Sequence, residues 1–171
     1  MVICNIYILE EINIMNKKLI VYYSYTKNTR KIAEKIQKAT DADICEIETV
    51  KPYLGDYNTV VDQGKHEVDS GYKPEIKSIA VNLEDYDTII LGTPVWWYTY
   101  APAVSTFLSQ YDLAGKTVIP FVTNGGWLGH TIKDIENACK NSKVINPIDI
   151  KFDTDTMRLS ESKLKEWIDS L

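Results

Sequence analysis

The sequence predicts an α/β protein built on a doubly wound, five-stranded parallel sheet with the strand order 2-1-3-4-5. Strand and helix patterns alternate along the chain, which is typical of a parallel sheet flanked by helices. The alternation occurs five times without an internal repeat, a linker or a low-complexity tract. With 171 residues, 44% of them hydrophobic, the chain is long enough for one domain with a sizeable core.

The first half of the chain supplies two strand–helix units and a long crossover. The apolar run Lys18–Tyr23 predicts strand 1, and apolar residues at helical spacing predict a helix over Asn28–Thr40. Ala42–Thr49 alternates between apolar and polar residues, as expected for strand 2 near a sheet edge. Asp56–Ser70 predicts a weakly amphipathic helix within the long stretch 50–85.

The second half continues with three more strands and three more helices. The strands are predicted over Tyr86–Leu91, Thr117–Val122 and Ile148–Phe152. The helices are predicted from a first turn near Pro102, over Thr131–Lys140 and over Ser160–Leu171. The turn-forming residues Gly92-Thr93-Pro94 are expected to end strand 3.

The N-terminus is interpreted as two parts, an extension over residues 1–14 and a domain over 15–171. The extension is apolar over residues 2–9 but lacks the preceding basic residues of a signal peptide. Met15 precedes Asn16-Lys17-Lys18 and then the first strand, so we expect Met15 to be the natural start. A native mass that includes residue 2 would contradict this hypothesis.

Composition argues against several partners. The net charge is −5 and no Lys/Arg cluster occurs, which disfavours nucleic acid and anionic membranes. No apolar run reaches the ~18 residues of a membrane span.

Cys4, Cys45 and Cys139 form no CxxC pair, so neither a zinc site nor a disulfide framework is indicated. They are expected to be small buried hydrophobes in a reducing cytoplasm.

Ligands of doubly wound sheets bind beyond the carboxyl ends of the strands, which selects three loops. The loop after strand 1, SYTKNT (24–29), is rich in hydroxyls and leads into a helix N-terminus, a favourable place for a phosphate. The loop TPVWWYTYAP (93–102) holds two tryptophans and two tyrosines, all expected to be exposed, and the loop TNGGWLGH (123–130) holds a tryptophan between glycines. Flat side chains and close backbone approach suit a planar ligand. Flavin mononucleotide (FMN) has both a terminal phosphate and a large flat ring.

Other ligand sites of α/β proteins lack their residues here. The loop after strand 1 contains no glycine, and neither GxGxxG nor GxxxxGK[ST] occurs. The acidic residues of a phosphoacceptor receiver, the cysteine of a Cys-x5-Arg phosphatase and the GxSxG of a serine hydrolase are also missing.

At these three loops the chain resembles the flavodoxin family. SYTKNT is similar to the family's phosphate loop, and TRKIAEKI, GTPVWW and TNGGWLGH are also similar to small bacterial flavodoxins. The stretch 51–76 resembles the long second crossover of one bacterial flavodoxin-like subgroup, and the resemblance covers roughly residues 17–171.

The resemblance implies roles for particular residues. It places Ser24, Thr26, Asn28 and Thr29 around the FMN phosphate, and Lys27 adds a cation to that loop. It places one wall of the isoalloxazine ring on Thr93, Pro94, Val95, Trp96, Trp97 and Tyr98, with Trp96 or Trp97 stacking. It places the other wall on Asn124, Gly125, Gly126, Trp127 and Gly129. Tyr98 stands where related loops often have glycine, which makes a backbone flip that tunes one-electron chemistry costly here.

Structural roles compete with these functional ones. The hydroxyls of the first loop also suit an ordinary helix cap, and Lys27 also suits a solvated side chain. The Trp96-Trp97-Tyr98 aromatics also suit a partner interface. His130 is either a proton donor near the ring or a helix-start residue with a structural hydrogen bond, and His66 is expected on a solvated face.

Three functions follow from these alternatives. The first is an FMN-dependent electron carrier of the flavodoxin type that serves redox partner proteins. The second is an oxidoreductase that takes hydride from NAD(P)H and reduces a quinone or another small-molecule acceptor. The third is a flavin-free binding module. The sequence does not indicate an oligomeric state.

Overall fold

The structure of the protein, a computed structural model, describes residues 17–171. The predicted extension over residues 1–14 therefore lies outside the described residues. Along the chain the elements are β1 (Lys18–Tyr22), α1 (Asn28–Thr40), β2 (Asp43–Glu46), α2 (Tyr57–Ser70), β3 (Thr88–Trp96), β4 (Thr99–Tyr100), α3 (Pro102–Gln110), β5 (Thr117–Asn124), α4 (Thr131–Ala138), β6 (Lys143–Val144), β7 (Ile148–Asp153), β8 (Thr156–Met157) and α5 (Glu161–Asp169). A short 3-10 turn, Leu83–Asp85, precedes β3.

The sheet confirms the predicted fold class and strand order. Its main path runs β2-β1-β3-β5-β7, which is the order 2-1-3-4-5 in the five predicted strands. These five strands are parallel to one another. Two short strands pair antiparallel, β4 with β3 and β8 with β7, and β6 pairs in parallel with β5.

A hydrophobic core lies on each face of the sheet because residues of a central strand alternate between the two faces. In β1, Leu19 and Val21 point into one core and Ile20 and Tyr22 into the other. Tyr22 and Tyr23 are each 5% exposed, in agreement with their predicted packing role. Helices α1 and α5 cover one face, while α3 and α4 cover the other.

Strand 3 does not end where the sequence predicted. It continues through Gly92-Thr93-Pro94 to Trp96, and its parallel pairing with β5 extends to the pair Pro94 and Thr123. The paired neighbour therefore outweighs the turn propensity of these three residues. Strand 2 is shorter than predicted, and Thr49 forms only an isolated bridge with Ile76.

Helix α2 begins after Asp56, whose side chain accepts a hydrogen bond from the Thr59 N–H at 2.8 Å. It ends at Ser70, as predicted, because Gly71 adopts a left-handed conformation with φ 65°. The predicted bounds of α4 and α5 each extended past the observed ends, at Ala138 and Asp169.

One buried charge in α2 was not predicted. Glu67 is 5% exposed. Its carboxylate accepts hydrogen bonds from the Tyr53 hydroxyl at 2.6 Å and from Gln63 Nε2 at 2.8 Å. These two donors compensate for the lost hydration of the carboxylate.

Removing one of these donors should destabilise the protein. We expect Tyr53→Phe to lower the free energy of unfolding by about 1–3 kcal/mol because it leaves a buried carboxylate oxygen unpaired. Urea denaturation followed by circular dichroism measures the change. Tyr57→Phe is the matched control, since the Tyr57 side chain is 71% exposed. Equal stability of the two variants would contradict the prediction.

Candidate functional site

Three loops meet at the carboxyl edge of the sheet because β1, β3 and β5 are neighbours there. They comprise residues 23–27 after β1, the Trp97-Tyr98 turn between β3 and β4, and residues 125–130 after β5. These are the loops selected from the sequence, except that part of the second lies inside β3.

The loop after β1 leaves a row of backbone hydrogen-bond donors unpaired. Within residues 17–171, the backbone N–H groups of residues 24 through 29 donate to no protein acceptor. Lys27, at the N-cap of α1, has a left-handed backbone with φ 70°. Consecutive free N–H groups at a helix N-terminus, where the helix dipole is positive, form a favourable anion site. We call residues 24–29 the anion cradle.

Side chains of the anion cradle connect it to strand β5 and to the β7–β8 turn. The Thr29 hydroxyl lies 2.8 Å from the hydroxyl of Thr123, near the end of β5. Asn28 Nδ2 donates to the carbonyl oxygen of Thr154, in the β7–β8 turn, at 2.8 Å. The Ser24 hydroxyl accepts from the Arg30 N–H at 3.2 Å, so it also caps the helix. Thr26 and Lys27 are exposed.

Asn28 has an unsatisfied acceptor. The residue is 8% exposed, and its Oδ1 is buried without a hydrogen-bond partner among the described residues. A buried polar oxygen of this kind usually has a partner. The anion cradle therefore combines unpaired N–H donors with one buried, unpaired acceptor among the described residues.

The Trp97-Tyr98 turn is strained. Trp97 has φ 47° and Tyr98 has φ 69°, both in the left-handed region. A two-residue hairpin turn with two positive φ angles favours Asn-Gly, and each non-glycine residue costs about 1 kcal/mol. Tyr98 thus has a backbone conformation that glycine would adopt more easily, at the position where related loops often have glycine.

The aromatic residues of this segment point in different directions. Trp96 is half-buried, with edge contacts to Tyr23, Tyr25 and Tyr53 at centroid distances of 6.0, 5.8 and 4.9 Å. Tyr100 is also half-buried. The expectation that all these aromatics are exposed is therefore wrong for Trp96 and Tyr100. Tyr53 and Gly64 lie against Trp96, and β4, which carries Tyr100, packs against α4.

Trp97 also contacts α2. Its indole N–H donates to the Val61 carbonyl oxygen at 3.0 Å, and Lys65 Nζ lies 5.4 Å from the ring centroid. We call the β3–β4 hairpin around Trp97-Tyr98 and the loop 125–130 the ring loops. Tyr98 and Trp127 are their most exposed aromatic side chains, at 51% and 74%. They are consequently the most accessible flat surfaces of the site.

Three other residues predicted to line the ring, Thr93, Pro94 and Val95, lie within β3 and are at least half-buried. Thr93 is fully buried; its hydroxyl donates to the Pro94 carbonyl oxygen at 2.9 Å and accepts from the Ala101 N–H at 3.1 Å. Pro94 and Val95 are half-buried within the strand.

The loop after β5 is anchored at both ends. Buried Asn124 accepts from the Gly126 N–H at 2.8 Å and donates through Nδ2 to Asp149. Gly125 and Gly126 are exposed. At the far end, the His130 N–H donates to the Tyr98 carbonyl oxygen at 2.8 Å. The second and third loops therefore contact each other directly.

His130 makes the structural contact that the sequence left as one of two alternatives. Its Nδ1 pairs with Asp134, one helical turn later in α4. The side chain remains exposed, and His66 is exposed as well.

Tyrosines beneath the anion cradle are kept protonated. Burial, together with the nearby Glu46 carboxylate, raises the pKa of Tyr22 to about 12. Burial also raises the pKa of Tyr23 and, together with the hydrogen bond to Glu67, that of Tyr53. These hydroxyls are therefore neutral at neutral pH, and that of Tyr53 donates to Glu67.

Sequence reasoning missed Glu67, Thr123, Thr154 and Asp134. Thr123 could have been found, since it immediately precedes Asn124 at a selected strand end. Thr154, Glu67 and Asp134 contact the site region through tertiary packing, which the local pattern does not reveal.

A doubly wound sheet with an anion cradle after its first strand and aromatic loops after the next two central strands defines a mononucleotide-binding class of α/β protein. A family model described as flavodoxin matches residues 17–171. The chain belongs to the flavodoxin family.

Solved structures agree with this assignment. The chain is 25% identical to a flavoprotein from Lactobacillus acidophilus NCFM in complex with FMN, with a TM-score of 0.71 over 89% of this chain and 98% of that one. It is 28% identical to a candidate flavoprotein from Bacteroides uniformis ATCC 8492, with a TM-score of 0.78 over 90% and 98% of the two chains. It is 29% identical to another from Bacteroides eggerthii DSM 20697, with a TM-score of 0.73 over 90% and 96%.

No curated protein matches the chain. Over residues 17–171, none of the helices is both long and apolar enough to cross a bilayer.

Proposed function

We propose that this protein binds FMN non-covalently and transfers electrons between redox partners. The observation that carries the proposal is the anion cradle, whose free N–H groups lie at the same sheet edge as the exposed rings of Tyr98 and Trp127. A phosphate-bearing ligand with a flat ring matches this combination of groups.

The anion cradle would hold the phosphate. Its N–H groups and the hydroxyls of Ser24, Thr26 and Thr29 would donate to the phosphate oxygens, and Lys27 would add positive charge nearby. Asn28 Oδ1, which has no partner among the described residues, would accept a hydrogen bond from a ribityl hydroxyl. FMN therefore satisfies both the donors and the acceptor of the anion cradle.

The two ring loops would orient the isoalloxazine. Tyr98 and Trp127 present aromatic surface, and Gly125 and Gly126 let a ligand approach the backbone. Trp96 and Trp97 would support the Tyr98 wall through their contacts with α2 rather than stack freely. Bound FMN supplies the redox chemistry, while the protein binds it, orients it and limits the access of water.

The likeness to the FMN complex of the Lactobacillus acidophilus flavoprotein supports this choice of cofactor. The exposure of Tyr98 and Trp127 supports electron exchange with a protein that docks over the site. The net charge of −5 would favour a partner with a basic docking face.

Titration of the flavin-free apoprotein with FMN tests the proposal. We expect saturable quenching of FMN fluorescence and a higher unfolding temperature, because a ligand that binds only the folded state stabilises it. Absence of binding by the unmodified protein would contradict the proposal. Rapid NADPH-dependent reduction of a quinone by the FMN-loaded protein would favour the oxidoreductase instead of the carrier.

The hydroxyls of the anion cradle provide a sharper test. We expect the double variant Ser24→Ala/Thr26→Ala to raise the Kd for FMN about 10- to 100-fold, since it removes two donors to a charged group. A control variant, Ser109→Ala/Thr117→Ala, removes the same two residue types away from the carboxyl edge. An unchanged Kd in the first variant would show that these hydroxyls act only as helix caps.

A further inference from the structure

Asp134 lies in the first turns of α4, and one of its carboxylate oxygens contacts both ring loops. Its Oδ2 accepts a hydrogen bond from the Thr99 hydroxyl at 2.5 Å and pairs with His130 Nδ1. The Asp134 side chain is 29% exposed, so water screens these contacts only partly.

The two partners of Asp134 belong to different loops. Thr99 directly follows Tyr98 in the β3–β4 hairpin, and His130 ends the loop that contains Trp127. Among the described residues, the Asp134 side chain forms no hydrogen bond or ion pair with the anion cradle. The carboxylate therefore joins the two loops that would enclose the ring and leaves the phosphate end independent.

A backbone hydrogen bond also joins these two loops. The His130 N–H donates to the Tyr98 carbonyl oxygen at 2.8 Å, and the Thr131 hydroxyl lies 3.5 Å from the same oxygen. The turn that carries Tyr98 is strained, so contacts outside the turn must hold it. Asp134 supplies a charge-assisted contact of this kind.

We propose that Asp134 is a positioning residue that fixes the spacing of the Tyr98 and Trp127 loops and thereby sets the affinity for the flavin ring, but not for the phosphate. The inference rests on the proposed function. It distinguishes Asp134 from the residues of the anion cradle, whose contribution requires the phosphate.

Riboflavin, which has the ring without the phosphate, separates the two contributions. We expect Asp134→Ala to raise the Kd values for riboflavin and FMN by a similar factor of about 10, because both ligands lose the same aligned ring site. The Kd for riboflavin divided by the Kd for FMN should therefore stay constant. In Ser24→Ala/Thr26→Ala the Kd for FMN should rise much more than the Kd for riboflavin, so this ratio should fall.

Two further variants distinguish positioning from general stability. Asp134→Asn keeps an acceptor for the Thr99 hydroxyl and should recover part of the lost affinity. Thr99→Val removes the hydrogen bond from the other side and should raise both Kd values again. Glu136→Ala, on the exposed side of α4, is the matched control and should leave both Kd values unchanged.

The outcomes are distinct. Unchanged Kd values in folded Asp134→Ala and Thr99→Val would overturn the inference while FMN binding by the unmodified protein still supported the proposed function. A rise for FMN alone would also overturn it, because the effect would then act through the phosphate. If the unmodified protein binds neither ligand, both the inference and the proposed function are wrong.

Discussion

Replacing Gly129 with alanine is expected to weaken FMN binding about 10- to 100-fold and to lower the free energy of unfolding by about 2–4 kcal/mol. A Cβ at this position would lie 2.2 Å from the Tyr98 carbonyl oxygen and 2.5 Å from the Tyr98 Cα. Both are backbone atoms, so a rotamer change cannot relieve the clash. The left-handed backbone of Gly129, with φ 61°, adds strain for any other residue.

Gly71→Ala is the matched control for this prediction. Gly71 has a similar left-handed backbone, with φ 65°, but it follows α2, and a Cβ there meets no atom within 4 Å. FMN titration measures the affinity, and urea denaturation of the apoprotein measures the stability. If Gly129→Ala and Gly71→Ala behave alike in both measurements, the loop after β5 does not depend on its contact with Tyr98.

Gly92→Ala should have the largest effect on the fold itself. Gly92 lies in the central strand β3, where a Cβ would lie 2.1, 2.6 and 2.7 Å from three atoms of the Phe121 ring. Phe121 is fully buried in the neighbouring strand β5, where it is the register partner of Gly92. We expect a loss of about 3 kcal/mol or more in the free energy of unfolding.

A second substitution tests the cause of that loss. Phe121→Leu shortens the side chain that faces Gly92, and in the unmodified protein it should destabilise by leaving a cavity. In the Gly92→Ala background it should instead recover stability. A double-mutant cycle in urea measures this coupling, and additive losses would contradict the proposed clash.

The sheet was predictable because its strands are encoded locally. The apolar runs Lys18–Tyr23 and Thr117–Val122 and the helical spacing over Asn28–Thr40 identify their elements without knowledge of their neighbours. The end of strand 3 was not predictable in this way. Residues Gly92-Thr93-Pro94 look like a turn in isolation but pair with β5 in the folded protein.

The candidate site was predictable in position and less so in orientation. The rule that ligands bind at the carboxyl ends of parallel strands located the three loops. The exposure of Trp96 was misjudged because its neighbours, Tyr53 and Gly64, come from the crossover, whose packing the sequence pattern did not reveal. Asp134 was missed for a similar reason, since its partners Thr99 and His130 meet only in the folded protein.

The bond from Asn28 to Thr154 has a consequence for the order in which the protein matures. The two residues are 126 positions apart, and Thr29 is 94 positions from its partner Thr123. A growing chain on the ribosome therefore contains the residues of the anion cradle long before it contains the residues that hold them in place. We expect cofactor capture to follow synthesis of the β7–β8 hairpin, so that newly made chains first fold as colourless apoprotein and only afterwards compete for flavin.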